Sequence, residues 1–200
     1  MLLASFGMCV VSLAAPKPAA TTKAPALVWP APPEPARIVY VQSATQPAGL
    51  GAKVGGFRRF ANWVAGGQRG NERFVKPFGL ALDEADNLCV TDTADNSVSW
   101  FERAKNRWHR WERIGKLRFA APVAIAKQGD TLFVADSGRA EVVAFSIKGE
   151  LRFRVKEGLT CPAGLVVWSD RLFVADSQRH QVRVFDLRGK PVTEFGQRGT

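Results

Sequence analysis

The sequence predicts an all-β protein: a β-propeller of four-stranded blades, preceded by an extended Pro-rich segment and a short helix. Three observations predict it. A motif running from Pro through Leu-x-Val-x-Asp to a closing Phe occurs three times, at 77–101, 122–145 and 162–185. Its internal spacing hardly varies, since Pro to Asp is 15, 14 and 14 residues and Asp to Phe is 9 in every copy. The copies begin 45 and then 40 residues apart. Short Val- and Phe-rich runs at that period, with turn residues between them, mark propeller blades.

The chain has 200 residues, 46% of them hydrophobic, which suffices to bury a sizeable core. No segment after the first residues holds eighteen consecutive apolar residues, so no internal membrane span is expected. The net charge of +10 raises nucleic acid or an anionic surface as partners. Its distribution weakens that inference. Residues 1–76 carry nine Lys/Arg against two Asp/Glu, a net of +7, leaving only +3 for residues 77–200.

Residues 1–15 resemble a secretory signal: an apolar stretch from Leu2 to Ala15, with small residues near Ala14. No Lys or Arg precedes Lys17, so the usual basic start is missing. Cys9 could carry a lipid anchor, although Phe6-Gly7-Met8 matches the usual preceding run poorly; an ordinary apolar cysteine is the alternative. Residues 16–36 read as a Pro/Ala-rich linker, extended because Pro supplies no ladder donor. Residues 37–76 then supply a lead-in strand at Arg37–Val41 and a short amphipathic helix marked by Phe57, Phe60, Trp63 and Val64.

The blades occupy 77–200. In the third, strands are expected at about 163–167, 171–176, 181–186 and 191–195. Leu187-Arg188-Gly189-Lys190 is the hairpin turn between the last two, with Gly189 free to take positive φ. Lys148-Gly149-Glu150 does the same one blade earlier. Such sheets are too small to stand alone and must stack on their neighbours.

Pro162-Ala163-Gly164-Leu165, Leu172-Phe173-Val174-Ala175-Asp176-Ser177 and Val182-Arg183-Val184-Phe185 resemble the NHL repeat, which forms six-bladed propellers. Val28-Trp29-Pro30 and Arg37-Ile38-Val39-Tyr40 resemble the lead-in of exported, lipoprotein-like bacterial members. Three blades of an expected six imply a C-terminally truncated sequence, or two copies that pair.

Asp92, Asp136 and Asp176 end the second strand of each blade. Three carboxylates around an axis could bind a metal, but one residue recurring at one place in every blade fits a structural role, accepting backbone N–H bonds from the following loop. Some related propellers are zinc lyases that use several histidines and a tyrosine; His109, His180 and Tyr40 are too few and too unlike in position to support such a site here. No metal or other cofactor is therefore expected, and no Gly-x-Ser-x-Gly, phosphate loop or Cys/His pair suggests a catalyst. Cys89 lies in an apolar run and reads as a buried free thiol.

What remains is a binding face. Arg139 and Arg179 follow Asp136 and Asp176 by three residues in the loops between second and third strands, which share one face of the disc. With Glu141, His180 and Gln181 they could form a contact ring, or simply solvate the rim. Asn106–Arg113 alternates aromatic and basic residues, a pattern that single-stranded nucleic acid can exploit, but an outer strand explains it as well. The expected function is a non-catalytic binding or scaffold propeller outside the cytoplasm, with a protein or envelope partner and membrane contact only through a signal or lipid anchor. A metal-dependent lyase or hydrolase, with its ligands mainly in missing blades, is the alternative, and an RNA-binding propeller the second.

Overall fold

A computed structural model describes residues 27–46, 49 and 73–199. The signal-like segment and the helix expected over 57–64 lie outside the described residues. The chain divides into two units, 1–42 and 43–200.

In the first unit β1 (Val28–Trp29) pairs antiparallel with β2 (Ile38–Val39). Arg37 N donates to Trp29 O and Tyr40 N to Leu27 O, both at 2.8 Å. The segment read as a linker thus contributes a strand. Val28 and Trp29 favour extended backbone, while the prolines fall in the connection, where no ladder donor is needed.

The second unit is built of three antiparallel four-stranded meanders. The first blade comprises β3 (Pro77–Leu82), β4 (Leu88–Asp92), β5 (Ser97–Glu102) and β6 (Arg107–Trp111). A two-stranded hairpin, β7 (Arg113–Ile114) with β8 (Leu117–Arg118), follows it. The second blade is β9 (Pro122–Gln128), β10 (Thr131–Asp136), β11 (Glu141–Ser146) and β12 (Leu151–Val155). The third is β13 (Pro162–Trp168), β14 (Arg171–Asp176), β15 (Gln181–Asp186) and β16 (Pro191–Phe195). Its strands lie where the hydrophobic alternation predicts them. Gly149 and Gly189 both turn with φ of 83°, the left-handed backbone that a tight hairpin requires.

Strand alternation sends each blade's side chains to its two neighbours. Between the first and second blades pack Cys89, Val98, Trp100, Ile125, Leu132, Val134 and Phe145. Between the second and third pack Phe133, Val142, Ala144, Leu172, Val174 and Phe185. The middle blade is therefore buried on both faces, and β10 and β11 are buried at every residue. Full burial of one such Phe or Val contributes about 1.5–3 kcal/mol.

The inner strands approach closely at Gly79. A Cβ there would meet Val123 O at 2.5 Å and Thr91 Oγ1 at 2.8 Å, so side-chain absence lets β3 lie against β9. An ion pair ties the same two blades together, Lys127 Nζ reaching Asp83 Oδ2 at 2.8 Å with both side chains buried. Trp100 supports the pair twice, donating from Nε1 to Asp83 Oδ2 at 3.2 Å and presenting its ring 5.1 Å from Lys127 Nζ. Burial opposes ionisation of Asp83, but bonds from Lys127, Asn87 and Ala85 outweigh it and lower its pKa to about 2.

Candidate functional site

One end of the blade stack collects the loops between second and third strands, together with the residues that lead into each inner strand. The repeated aspartates organise it. Asp136 accepts from Ala120 N and Ala121 N, each at 2.8 Å. Asp92 accepts from Val75 N at 2.7 Å and Lys76 N at 3.1 Å, and Asp176 from Thr160 N at 2.5 Å and Cys161 N at 3.1 Å. All three are buried. In each blade the donors are therefore the two residues just ahead of the inner strand's first proline. A residue beyond them, being Pro, offers no N–H that would compete.

This differs in part from the sequence expectation. Asp92 does accept from Ala94 N and Asp95 N, and Asp176 from Arg179 N, in the following loop. The bonds shared by all three copies run instead to the start of the same blade, 15 to 17 residues upstream. The aspartate pins a blade's first strand to its second. Among the described residues no group of three His, Cys, Asp or Glu side chains could hold a metal ion.

Four residues after each aspartate the backbone turns left-handed, at Asn96 (φ 49°), Ala140 (φ 51°) and His180 (φ 56°). Asn and His are among the side chains that accept this conformation most readily. His180 thus has a backbone reason for its place. His109 lies elsewhere, on β6, stacked between Trp100 (5.0 Å) and Trp111 (5.9 Å). The alternating run around it forms that outer strand, with Trp108 against Phe74 and Phe101.

The two loop arginines are held alike. Arg139 Nε donates to Glu141 Oε1 at 2.6 Å, and Arg179 Nε donates to Gln181 Oε1 at 3.4 Å. Each loop thus braces its guanidinium through the residue two positions on. The acceptors differ greatly in setting. Glu141 is fully buried and accepts also from Arg154 Nε at 2.7 Å, with Arg154 Nη2 at 2.6 Å and Lys156 Nζ at 3.9 Å. Burying that carboxylate is tolerable only because cations surround it. Three cations against one carboxylate leave the site net positive, and Lys156, beyond hydrogen-bonding distance, adds to the excess.

Sequence reasoning placed Arg139, Arg179, His180 and Gln181 on one face, and the structure gathers each blade's set within its own loop. It missed Arg154 and Lys156. Both line a cavity of about 310 Å³ along the seam between the second and third blades, together with Glu157, Arg183, Phe185 and Pro191. Arg183 lies over the Phe185 ring at 5.4 Å, donates to Glu157 O at 2.7 Å and pairs with Glu194 at 3.3 Å. The basic residues at alternate positions along Arg152, Arg154 and Lys156, from β12 into the residue that follows it, were the signal. Cys89 is buried as expected, and burial, with the Asp83 charge nearby, pushes its thiol up to about 12.

The architecture is that of β-propeller blades, and comparison with known proteins agrees. Residues 159–185, the core of the third blade, match the NHL repeat family. Similar solved structures include hydrazine synthase from Kuenenia stuttgartiensis (19% identity, TM-score 0.52, covering 65% of this chain and 39% of that one). Virginiamycin B lyase from Staphylococcus aureus is similar at 10% identity and TM-score 0.53, covering 64% and 44%. A chain of the nidogen/laminin complex is similar at 18% identity and TM-score 0.52, covering 62% and 48%. No curated protein sequence matches this chain significantly. At these identities the likeness is one of fold, and this chain spans under half the length of each of those structures.

Proposed function

We propose that the chain is a non-catalytic binding propeller that works outside the cytoplasm and recruits an acidic protein or envelope partner. The observation that carries this reading is the repeated bracing of Arg139 and Arg179. Each guanidinium is fixed through Nε, and its terminal nitrogens make no hydrogen bond among the described residues. A planar, pre-oriented guanidinium with both terminal nitrogens unengaged suits a carboxylate or phosphate on a partner. For Arg139, held at 2.6 Å by a buried carboxylate, much of the ordering cost has already been met within the loop, and for Arg179, held at 3.4 Å by a neutral amide, less of it has. The surplus charge of Lys156 extends the basic surface from the same blade.

A propeller of similar fold occurs in a nidogen/laminin complex, which supports a role in protein assembly. Placement outside the cytoplasm rests on the signal-like residues 1–15 and the Pro-rich stretch after them.

A photo-crosslinking residue at Gln178, exposed in the same loop, in the native host, should capture a discrete partner from the cell envelope. The double substitution Arg139→Gln/Arg179→Gln, which removes both guanidinium charges without setting a second carboxylate beside Glu141, should abolish that capture while the fold, followed by circular dichroism, persists. Capture undiminished by the loss of both charges, or a chain found wholly in the cytosol on fractionation, would sink the reading.

A further inference from the structure

The hairpin between the first and second blades, β7 with β8, sets like charges against each other. Gly115-Lys116 is its turn, Ile114 and Leu117 flank the turn as a pair, and the next pair is Arg113 with Arg118. In a two-residue hairpin the flanking pair exchanges hydrogen bonds, so the pair beyond it brings its side chains closest. Two positive charges opposed there are unfavourable. The pairing continues as Phe119 N donates to Glu112 O at 3.2 Å. Ile114, Leu117 and Phe119 are buried in the core between the two blades, while Arg113, Lys116 and Arg118 are exposed. Strand alternation thus anchors one face of the hairpin and turns both arginines to the other. Among the described residues no carboxylate forms an ion pair with any of the three cations, and the adjacent Glu112 approaches Arg110 instead, at 3.8 Å.

The surroundings carry the same sign. At this end of the stack the connections 93–96, 112–121, 137–140, 156–161 and 177–180 hold six Lys/Arg against three Asp/Glu. At the opposite end, 83–87, 103–106, 129–130, 147–150, 169–170 and 187–190 hold five against six. The hairpin supplies half of the positive charge at its end, and the connection 156–161 joins its two blades without such an insertion. Insertions of this kind in repeat proteins gather on one face, often the binding face.

We propose that this hairpin seats the second unit on a lipid surface bearing anionic phosphate headgroups. Three exposed cations on an open hairpin hold one free phosphate weakly, because each exposed ion pair contributes little. A surface displaying many phosphates, free to gather beneath the cations, adds such contacts together. The hairpin exposes no large apolar side chain, so it lacks the buried anchor on which a protein partner would centre. Single-stranded nucleic acid also displays phosphates, but it is held by base stacking, and the neighbouring rings are engaged, Trp111 and Phe119 both against Phe145. This contact goes beyond recruitment of a partner by Arg139 and Arg179 and does not depend on it.

The test is sedimentation of the 200-residue chain with vesicles of phosphatidylcholine and phosphatidylglycerol in a ratio of about two to one. Residues 1–76 carry a positive charge of their own, so the comparison is between full-length variants that share them. Arg113→Gln/Lys116→Gln/Arg118→Gln should weaken partitioning about a hundredfold, the effect of withdrawing three cations from an anionic surface. Arg103→Gln/Lys148→Gln/Arg188→Gln removes the same charge from exposed positions at the opposite end and should change partitioning less than about threefold, since those charges are screened from the surface. Circular dichroism should show both variants folded. A loss in the hairpin variant no greater than in the opposite-end variant would overturn the proposal, because adsorption would then follow net charge alone. A wild type that stays in solution beside the anionic vesicles, or sediments equally with pure phosphatidylcholine, would overturn it too. So would inorganic phosphate or a single-stranded oligonucleotide that binds wild type and not the hairpin variant and that the vesicles fail to displace, which would assign the hairpin to a free anion or to nucleic acid.

Discussion

Replacing Asp136 by Ala should destabilise the blade stack by about 3 kcal/mol. Asp136 is fully buried and its carboxylate accepts two backbone N–H bonds of 2.8 Å, from Ala120 and Ala121. A hydrogen bond to a charged group contributes about 1.5–3 kcal/mol, so two of them set a range of about 3–6. Ala120 is exposed, and water reclaims part of its lost bond, which places the cost at the lower end. Asp136→Asn keeps the shape but turns an amide N–H₂ towards one of the two donors, and should cost about 2 kcal/mol. Urea unfolding followed by tryptophan fluorescence measures both, with the midpoint shifted and the slope unchanged. The middle blade is packed on both faces, so its loss should be felt cooperatively. If Asp136→Ala costs less than about 1 kcal/mol, the carboxylate is not the clamp between the first two strands and the structural assignment of all three aspartates fails.

Gly79→Ala drives a methyl into the backbone of β9 and should cost about 1–3 kcal/mol by overpacking, whereas Gly164→Ala should shift the urea midpoint of the monomeric chain negligibly; equal effects would refute the close-approach argument. The pKa of Asp83 is about 2 in the folded chain against 3.8 ordinarily, so its ionised form stabilises the fold fully above about pH 4 and that contribution, about 2 kcal/mol, fades as pH falls towards 2. Comparing acid unfolding of wild type with Asp83→Asn isolates it, and parallel pH profiles for the two would refute it. Glu141→Ala leaves Arg139 and Arg154 around an emptied site; because both are about one-third exposed, the loss should be about 2 kcal/mol, below the range for wholly buried pairs, and a thermal melt unchanged from wild type would show the carboxylate to be dispensable.

The blade architecture was legible because local chemistry and long-range packing ask for the same residues. Leu132, Val134 and Phe145 point one way and Phe133, Val142 and Ala144 the other, an alternation that period-two reading detects directly. Gly149 and Gly189 mark hairpins for reasons confined to a few residues. The β7–β8 hairpin was not read, although it left a trace. From closing Phe to next Pro the first copy takes 21 residues against 17 in the second. Four extra residues lengthen the connection, but nothing in Ile114-Gly115-Lys116-Leu117 says that they pair with themselves rather than extend β6.

The site was less legible, because its energetics depend on which side chains cross between strands. Position five after the aspartate is Ser97, Glu141 and Gln181 in successive blades, and all three look like rim residues. Glu141 is nevertheless fully buried, because Arg154 on the adjacent strand and Arg139 in its own loop reach both carboxylate oxygens. At Gln181 the corresponding bond to Arg179 joins a neutral amide and is longer. Two loops with one sequence pattern therefore hold their arginines with unequal rigidity, the second-blade arm by a charge-assisted bond and the third by a neutral one. If these arms bind a common partner, the ordered Arg139 arm should account for more of the affinity than the looser Arg179 arm, an asymmetry that follows from one carboxylate and is invisible in the repeat itself.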